Sequence, residues 1–291
     1  MIDVASFQSL RPHLFSVAYR MLGGASDAED VVQDAWLRAT SAPEDIASAR
    51  AWLTTVVTRL CLDRLKSAQA RREEYVGPWL PEPVPTAAFD SAEEKIERQE
   101  SITMAFLVLL ETLSPAERAA FLLREVFDSD YADVADVLDT TPAAARQLVH
   151  RAKTRLADGR PRFEVPPERQ HEIVARFMEA IQEGDVSRLE TYLAADVQFT
   201  ADGGGKVAAA RRPVLGAAAV SRLMITLWRQ AAAAPDEWKV GIASINGESA
   251  LVGHRRGALD TVFICSTDGE RITGIRGVRN PDKLRWLAQR I

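Results

Sequence analysis

The sequence predicts a multidomain protein in which two all-α modules precede a C-terminal α+β domain. Three observations carry this reading. Apolar residues recur at helical spacing as far as Leu156; two stretches rich in proline and glycine, Glu73 to Phe89 and Asp158 to Pro167, interrupt them; apolar–polar alternation sets in only after Leu193. A length of 291 residues admits one to three domains, and 47% hydrophobic residues are ample for real cores. The expected divisions are residues 1–72, a connector at 73–91, then 92–158 and 166–291.

Phe7 to Leu22 reads as the first helix, with Leu10, Leu14, Val17, Ala18 and Met21 on one side and Gly23 and Gly24 as its stop. In the next segment Ser26 and Glu29 have capping-box spacing, and Val31, Val32, Ala35, Trp36 and Ala39 form an apolar face. The opposite surface is acidic. Asp27, Glu29 and Asp30 suit the positive end of a helix dipole, which is sufficient reason for them; Asp34 lies beyond the first turn and needs another. After a loop containing Pro43, Ser48 caps a long helix through Ala70. Trp52, Leu53, Val56, Val57, Leu60 and Cys61 face inward, and Arg59, Arg64 and Lys66, followed by Arg71 and Arg72, make a basic strip. Trp52 lies in the apolar stripe, which makes it core rather than a stacking platform for a base.

Four prolines and a glycine between Glu73 and Phe89 exclude a helix interior and require an extended run. Trp79 and Leu80 within it are large apolar groups that need something to pack on. A helix from Ala92 to Leu113 follows, and then a segment opened by Ser114 as cap, Pro115 at the first helical position and Glu117 at capping-box spacing. Arg118 and Arg124 on that segment either meet nucleic-acid phosphates or a protein partner, or are simply solvated.

Asp130 to Leu156 has the layout of a helix-turn-helix. Tyr131, Val134, Ala135 and Leu138 share one face of a short helix ending near Asp139; Thr141 caps the next helix and Pro142 opens it. That leaves a turn of about three residues, as the motif requires. Asp139 stands where glycine is commonest, and Asp tolerates the left-handed conformation better than most residues. In the second helix Ala145, Leu148, Val149, Ala152 and Leu156 point inward, while Arg146, Gln147, His150, Arg151 and Lys153 lie outside. A basic outer face suits a major groove, although any solvated helix can carry Arg and Lys.

Beyond Pro167, Ile173, Phe177 and Ile181 mark a helix that Gly184 ends, and a short helix spans Asp185 to Leu193. The stretch from Val197 to Ala209 alternates around three glycines, which predicts two strands joined by a tight turn. Ala217 to Ala234 is helical, and strands are expected at Trp238–Ser244, Ser249–His254, Leu259–Ser266 and Arg271–Arg279. Asn280 and Pro281 suffice to cap and start a last helix.

Net charge is −5, from 36 basic and 41 acidic residues, so any nucleic-acid footprint must be local. Cys61 and Cys265 are in no metal-ligand spacing and read as reduced thiols; no metal or cofactor is expected. Neither a targeting segment nor a membrane-spanning apolar stretch is visible, so a soluble cytoplasmic protein is expected, monomeric when free.

The segment Asp27 to Ala39, DAEDVVQDAWLRA, resembles region 2.2 of the bacterial extracytoplasmic-function (ECF) sigma factors, and the helix-turn-helix is similar to their region 4.2. WLPEP at Trp79, Leu80, Pro81, Glu82 and Pro83, DGGGK at Asp202, Gly203, Gly204, Gly205 and Lys206, and NPDKL at Asn280, Pro281, Asp282, Lys283 and Leu284 resemble signatures of group 41 of that family. LAADVQF at Leu193 to Phe199 resembles the SnoaL-like cone fold. The resemblance implies an alternative sigma factor with core RNA polymerase and promoter DNA as partners. Asp30, Gln33 and Asp34 would meet polymerase; Arg59, Arg64 and Lys66 would hold the −10 element, with an unstacked base pocketed by the Thr40–Ser48 loop. Arg146, Gln147, His150 and Arg151 would read the −35 element, with Lys153 and Arg155 nearer phosphates. The extension would act as a built-in regulator in place of a separate anti-sigma protein, contacting the first module near the connector, with Trp79 and Leu80 packed near Asp202 to Lys206, and open to a small-molecule ligand.

Two other classes of function remain. One is a helix-turn-helix regulator with an effector domain, which leaves the Ser26–Thr40 segment and the second basic helix unexplained. The other is a cone-fold enzyme fused to a DNA-binding module. Its candidate residues are Asp196, Asp202, His254 and Asp260, of which no pair has an assignable spacing.

Overall fold

The computed structural model describes residues 2–41, 46, 48–73, 75–89, 102–157 and 165–291, with the backbone alone at 67–73. By its internal contacts the chain divides into a helical unit, Met1–Glu74, Ala88–Ile102 and Phe106–Arg160, and a C-terminal unit, Tyr75–Ala87, Thr103–Ala105 and Pro161–Ile291. The stretch read from sequence as a connector at 73–91 is therefore shared, most of it going with the C-terminal unit.

In the helical unit α1 (Val4–Leu22) packs on α2 (Ala25–Ala39) and α3 (Ala49–Glu73). Asp3 caps α1 by accepting from the Ser6 amide at 2.8 Å, and Gly23 ends it at φ 71°. The N-cap of α2 is Gly24, not Ser26, so the expected capping box is not formed; Glu29 pairs with Arg11 on α1 instead. Leu14, Val17, Met21, Val31, Val32, Leu53 and Val57 are buried.

The second half of this unit begins within α4 (Met104–Leu110), whose first two residues, Met104 and Ala105, group with the C-terminal unit. The N-terminal part of the helix expected from Ala92 lies mostly outside the described residues. The predicted capping box is present at α5 (Pro115–Phe121), which runs into one wide π turn at Leu122–Val126. The helix-turn-helix consists of α6 (Tyr131–Val137) and α7 (Pro142–Leu156), with Asp130 and Thr141 as side-chain caps. Asp139 takes the left-handed conformation in the turn, at φ 49°. Val134, Ala135, Val137, Ala145 and Val149 close the motif against Ala120 and Leu123.

The C-terminal unit is α+β. Helices α8 (Pro167–Glu183) and α9 (Val186–Thr191) precede strands β1 (Leu193–Asp202) and β2 (Val214–Leu215); α10 (Ala217–Ala232) precedes β3 (Trp238–Ile245), β4 (Glu248–Arg255), β5 (Ala258–Thr267) and β6 (Ile272–Val278), and α11 (Pro281–Ala288) closes the chain. The sheet order is β2-β1-β6-β5-β4-β3, antiparallel except for the β1–β6 pair. Ile173, Phe177 and Ile181 of α8 and Val220 and Met224 of α10 share a core with Val197, Phe199, Leu251 and Ile275 of the sheet. The glycine-rich stretch after Asp202 is not the hairpin that its alternation predicts. It is a loop, and β1 takes its neighbours from Val214–Leu215 and from β6.

Candidate nucleic-acid interface and the connector

Helix α7 presents Arg146, Gln147, His150, Arg151, Lys153 and Arg155 as exposed residues. Half of them are braced from behind. Arg151 donates to Glu117 at 3.2 Å, Arg155 to the same carboxylate at 2.6 Å, and Lys153 pairs with Glu125 at 2.7 Å. Glu117 is buried and also serves the Ser114 cap. Burial opposes its charge, but the Ser114 and Arg151 hydrogen bonds and the Arg155 charge outweigh that and hold the carboxyl below the usual glutamate range. The guanidinium of Arg146 lies 5.0 Å from the Tyr131 ring centroid. Gln147 and His150 complete the outward face at the N-terminal half of the helix, the part that reaches base edges in a helix-turn-helix.

On α2, Gln33 and Asp30 are exposed, Asp34 is half-buried and Leu37 is 60% exposed one turn beyond Gln33. Arg64 of α3 lies across this acidic surface, 3.0 Å from Asp34, 3.7 Å from Asp30 and 3.8 Å from Asp27. Two groups of residues assigned from sequence to different partners thus form one charged cluster. Lys66 pairs with Asp63 at 3.1 Å. Arg59 donates to the carbonyls of Asp136 and Val137 at 2.7 and 3.2 Å and pairs with Asp139 at 2.8 Å, so it caps the C-terminal end of α6. Most of the loop expected to pocket a base lies outside the described residues. Arg118 is no surface contact: it is 3% exposed, donates to the Met21 carbonyl at 2.8 Å and pairs with Glu111 at 2.9 Å. Burial lowers its pKa to about 10.

The three short signatures meet in the C-terminal unit. Asp202, wholly buried at the end of β1, accepts from the Leu80 amide at 2.9 Å, the Tyr75 hydroxyl at 2.5 Å and the Gly204 amide at 3.0 Å. Lys283 of α11 pairs with the same carboxylate at 2.6 Å and donates to the Leu80 carbonyl. Its ammonium lies 4.1 Å from the Trp79 ring centroid and 4.8 Å from that of Tyr75. The Asn280 amide donates to the Tyr75 hydroxyl at 2.8 Å. Leu80, Pro81 and Pro83 are buried, Glu82 is half-buried, and Leu284 is buried beneath α11. At the surface Lys206 pairs with Asp282, next to the exposed Pro281.

Glycines at this junction are required by space. A Cβ on Gly203 would lie 2.5 Å from the Val207 carbonyl oxygen; one on Gly204, at φ 58°, would lie 2.2 Å from Asn280 Nδ2. Further along, the Val84 amide and carbonyl exchange hydrogen bonds with Asn246 at 3.0 and 2.8 Å, and Pro85 bridges to Ile245 at the β3 edge. Glu248 accepts from the Met104 amide at 2.8 Å and from Ser266 at 2.6 Å, and its burial pushes its pKa up. Tyr75–Ala87 is thus a strap laid on the C-terminal unit. Sequence reasoning missed Tyr75, Val84 and Asn246, since none has a periodic or motif signal; it also missed Leu37, where an apolar residue on a polar helix face was visible.

Of the residues considered for catalysis, Asp202 is used up in the strap, Asp196 is exposed and His254 is half-buried on β4. Asp260 lines a cavity and pairs with Arg279 at 2.9 Å. Among the described residues no cluster of His, Cys, Asp and Glu has metal-binding geometry.

A capped helix-turn-helix with a basic outer face, a preceding three-helix module and an α+β unit that carries the connector define a multidomain DNA-binding protein. The family models for Sigma-70 region 2 and Sigma-70 region 4 match residues 7–71 and 103–156. The chain is 40% identical to the ECF RNA polymerase sigma factor SigJ of Mycobacterium tuberculosis, over 97% of this chain and 93% of that protein. It is 33% identical to the probable ECF RNA polymerase sigma factor SigI of the same organism, over 96% and 94%. The crystal structure of SigJ superposes with a TM-score of 0.78 at 35% identity, covering 97% of this chain and 98% of that one. The chain belongs to the ECF RNA polymerase sigma factors. It is an alternative sigma factor that directs transcription initiation by binding core RNA polymerase and promoter DNA, not an enzyme.

Proposed function

We propose that the C-terminal unit regulates this sigma factor in cis by holding the connector, and that a small molecule bound in that unit biases the hold. The single observation behind it is Asp202, a buried carboxylate whose bonds to Tyr75, Leu80 and Lys283 join the connector to the extension. A tethered partner acts at high effective concentration, so a contact of this size restrains the connector without a separate protein.

The geometry supports a division of labour on the helical unit. The α2 surface, with Asp30, Gln33, Asp34 and the exposed Leu37, docks on core polymerase; an apolar anchor among charges is the composition of a binding hot spot. Arg146, Gln147 and His150 read −35 bases, Arg151, Lys153 and Arg155 steady the helix and meet phosphates, and Arg59, Arg64 and Lys66 serve the −10 element once released from their present ion pairs. The protein works where the polymerase is, in the cytoplasm, as a monomer when free. No described helix is long and apolar enough to cross a membrane.

The test is competition of labelled full-length protein against the housekeeping sigma factor for core polymerase. Loss of competition in Leu37→Ala and Asp34→Ala supports the docking surface. Unchanged competition by a Lys283→Ala variant would sink regulation through the strap.

A further inference from the structure

The turn between β3 and β4 is two residues long, Asn246 at φ 53° and Gly247 at φ 70°, and Ile245 pairs with Glu248 across its base. This hairpin tip grips the chain twice. It takes the end of the strap: Val84 bonds to Asn246, the Gly247 amide donates to the Thr86 hydroxyl at 2.9 Å, and that hydroxyl lies 2.7 Å from Ser244 Oγ. It also takes the start of α4, where the wholly buried Met104, which groups with the C-terminal unit, donates its amide to Glu248 Oε2 at 2.8 Å. That amide is one of the four that a helix cannot satisfy from within, so Glu248 supplies what the first turn of α4 lacks.

The second grip has its own support. Glu248 is 5% exposed, and its other oxygen accepts from Ser266 Oγ at 2.6 Å; Ser266 Oγ in turn accepts from Arg276 Nη1 at 2.8 Å. The donors run one way, from the arginine through the hydroxyl to the carboxylate, so the buried negative charge has a counter-charge one residue away. Neither Glu248, Ser266 nor Arg276 lies in WLPEP, DGGGK or NPDKL, and this grip is separate from the one at Asp202.

Reach gives the two grips a consequence. Thr86 and Met104 are held at one hairpin tip, so the chain between them adds nothing to the connector; released, it adds from about 27 Å as helix to about 60 Å extended. Elements at −10 and −35 are, by their names, roughly 25 base pairs apart, which is about 85 Å at about 3.4 Å per pair. Arg59 of the first module donates to the Asp136 carbonyl of the second at 2.7 Å, so the modules must part before both elements are bound. We propose that the β3–β4 hairpin tip is a clamp that closes the connector into a loop, with Glu248 as its latch on the −35 module, and that opening the latch frees the length the modules need to part. The latch stands on the contacts above; its effect on polymerase binding rests on regulation in cis by the C-terminal unit.

The experiment uses the full-length chain. Hydrogen exchange of the Thr103–Leu110 segment is measured in three variants. Glu248→Ala removes the acceptor, Glu248→Gln keeps one for the Met104 amide, and Glu248→Leu combined with Arg276→Met removes both charges and leaves no buried ion unpaired. Roughly tenfold faster exchange, the value of about one hydrogen bond, is expected in the first and third, with Glu248→Gln near the wild type and Tyr75–Leu80 unchanged in the paired variant. Should Glu248→Ala unfold the unit, the paired variant alone decides. Unaccelerated exchange of Thr103–Leu110 there overturns the latch, and acceleration that reaches Tyr75–Leu80 equally overturns its independence of Asp202. In competition for core polymerase the paired variant is expected to bind roughly two- to tenfold more tightly than the wild type. Lys283→Ala run beside it separates the failures: a gain in Lys283→Ala alone overturns the part of the latch in regulation, and no gain in either overturns regulation in cis.

Discussion

Asp202 shows how much one side chain organises. Alone in the interior a carboxylate would be untenable; here it has three hydrogen-bond donors and a lysine ammonium, and the ammonium has two aromatic faces beside it. Removing one partner of such a pair leaves the other charged and buried. Lys283→Ala is therefore expected to cost about 3–5 kcal/mol of stability of the C-terminal unit, measured by urea denaturation. Gly204→Ala should cost roughly 1–3 kcal/mol in the same measurement, because the added Cβ both strains a positive φ and meets Asn280. The glycines of DGGGK were legible as a place of close backbone approach. Which atoms approach was not, since Tyr75 and Asn280 are distant in sequence and come together only in the fold.

The recognition helix α7 carries the clearest lesson among the elements. Its caps, its buried stripe and its basic face all follow from local spacing, and the sequence reading of it needed no tertiary information. What spacing could not supply is that Glu117, already the third residue of a capping box, also receives Arg151 and Arg155 from the next helix but one. The carboxyl is held below its ordinary pKa, so its contribution to stability is complete above the unfolded value of about 4.3 and is lost as pH falls through the folded value. The stability gap between the wild type and Glu117→Gln is expected to be constant near neutrality and to close below about pH 4. On DNA, Arg146→Ala should lower discrimination at one −35 position by roughly 1–3 kcal/mol, while Arg155→Ala should weaken all sequences alike and reduce the salt dependence of binding. Binding assays on a set of single-substitution −35 duplexes distinguish the two.

Across the whole molecule, the connector is the part whose meaning changed most. Four prolines announced an extended run from Glu73 to Phe89; α3 takes its first residue and a 3-10 turn at Thr86–Phe89 its last four, and most of the run belongs to the C-terminal unit, through Tyr75, Leu80, Val84 and Pro85. Weakening the strap in the full-length chain is expected to raise affinity for core polymerase several-fold; Lys283→Arg, which keeps the charge, should lie between wild type and Lys283→Ala. The competition assay checks this, with Arg169→Ala, whose partners are Glu172 and the Gly269 carbonyl, as the control.

By itself the sequence determined the division into helical and α+β parts, the helix-turn-helix with its caps and outward face, and the family, because each depends on local periodicity or on contiguous motifs. Only the tertiary structure decided that Arg59 caps α6 instead of lying bare, that Arg64 sits among the acids of α2, and that the glycine-rich stretch is a loop and not a hairpin. Long-range partners are chosen by packing, and burial is what turns Asp202 and Glu117 from ordinary polar residues into groups whose every hydrogen bond must be found within the protein.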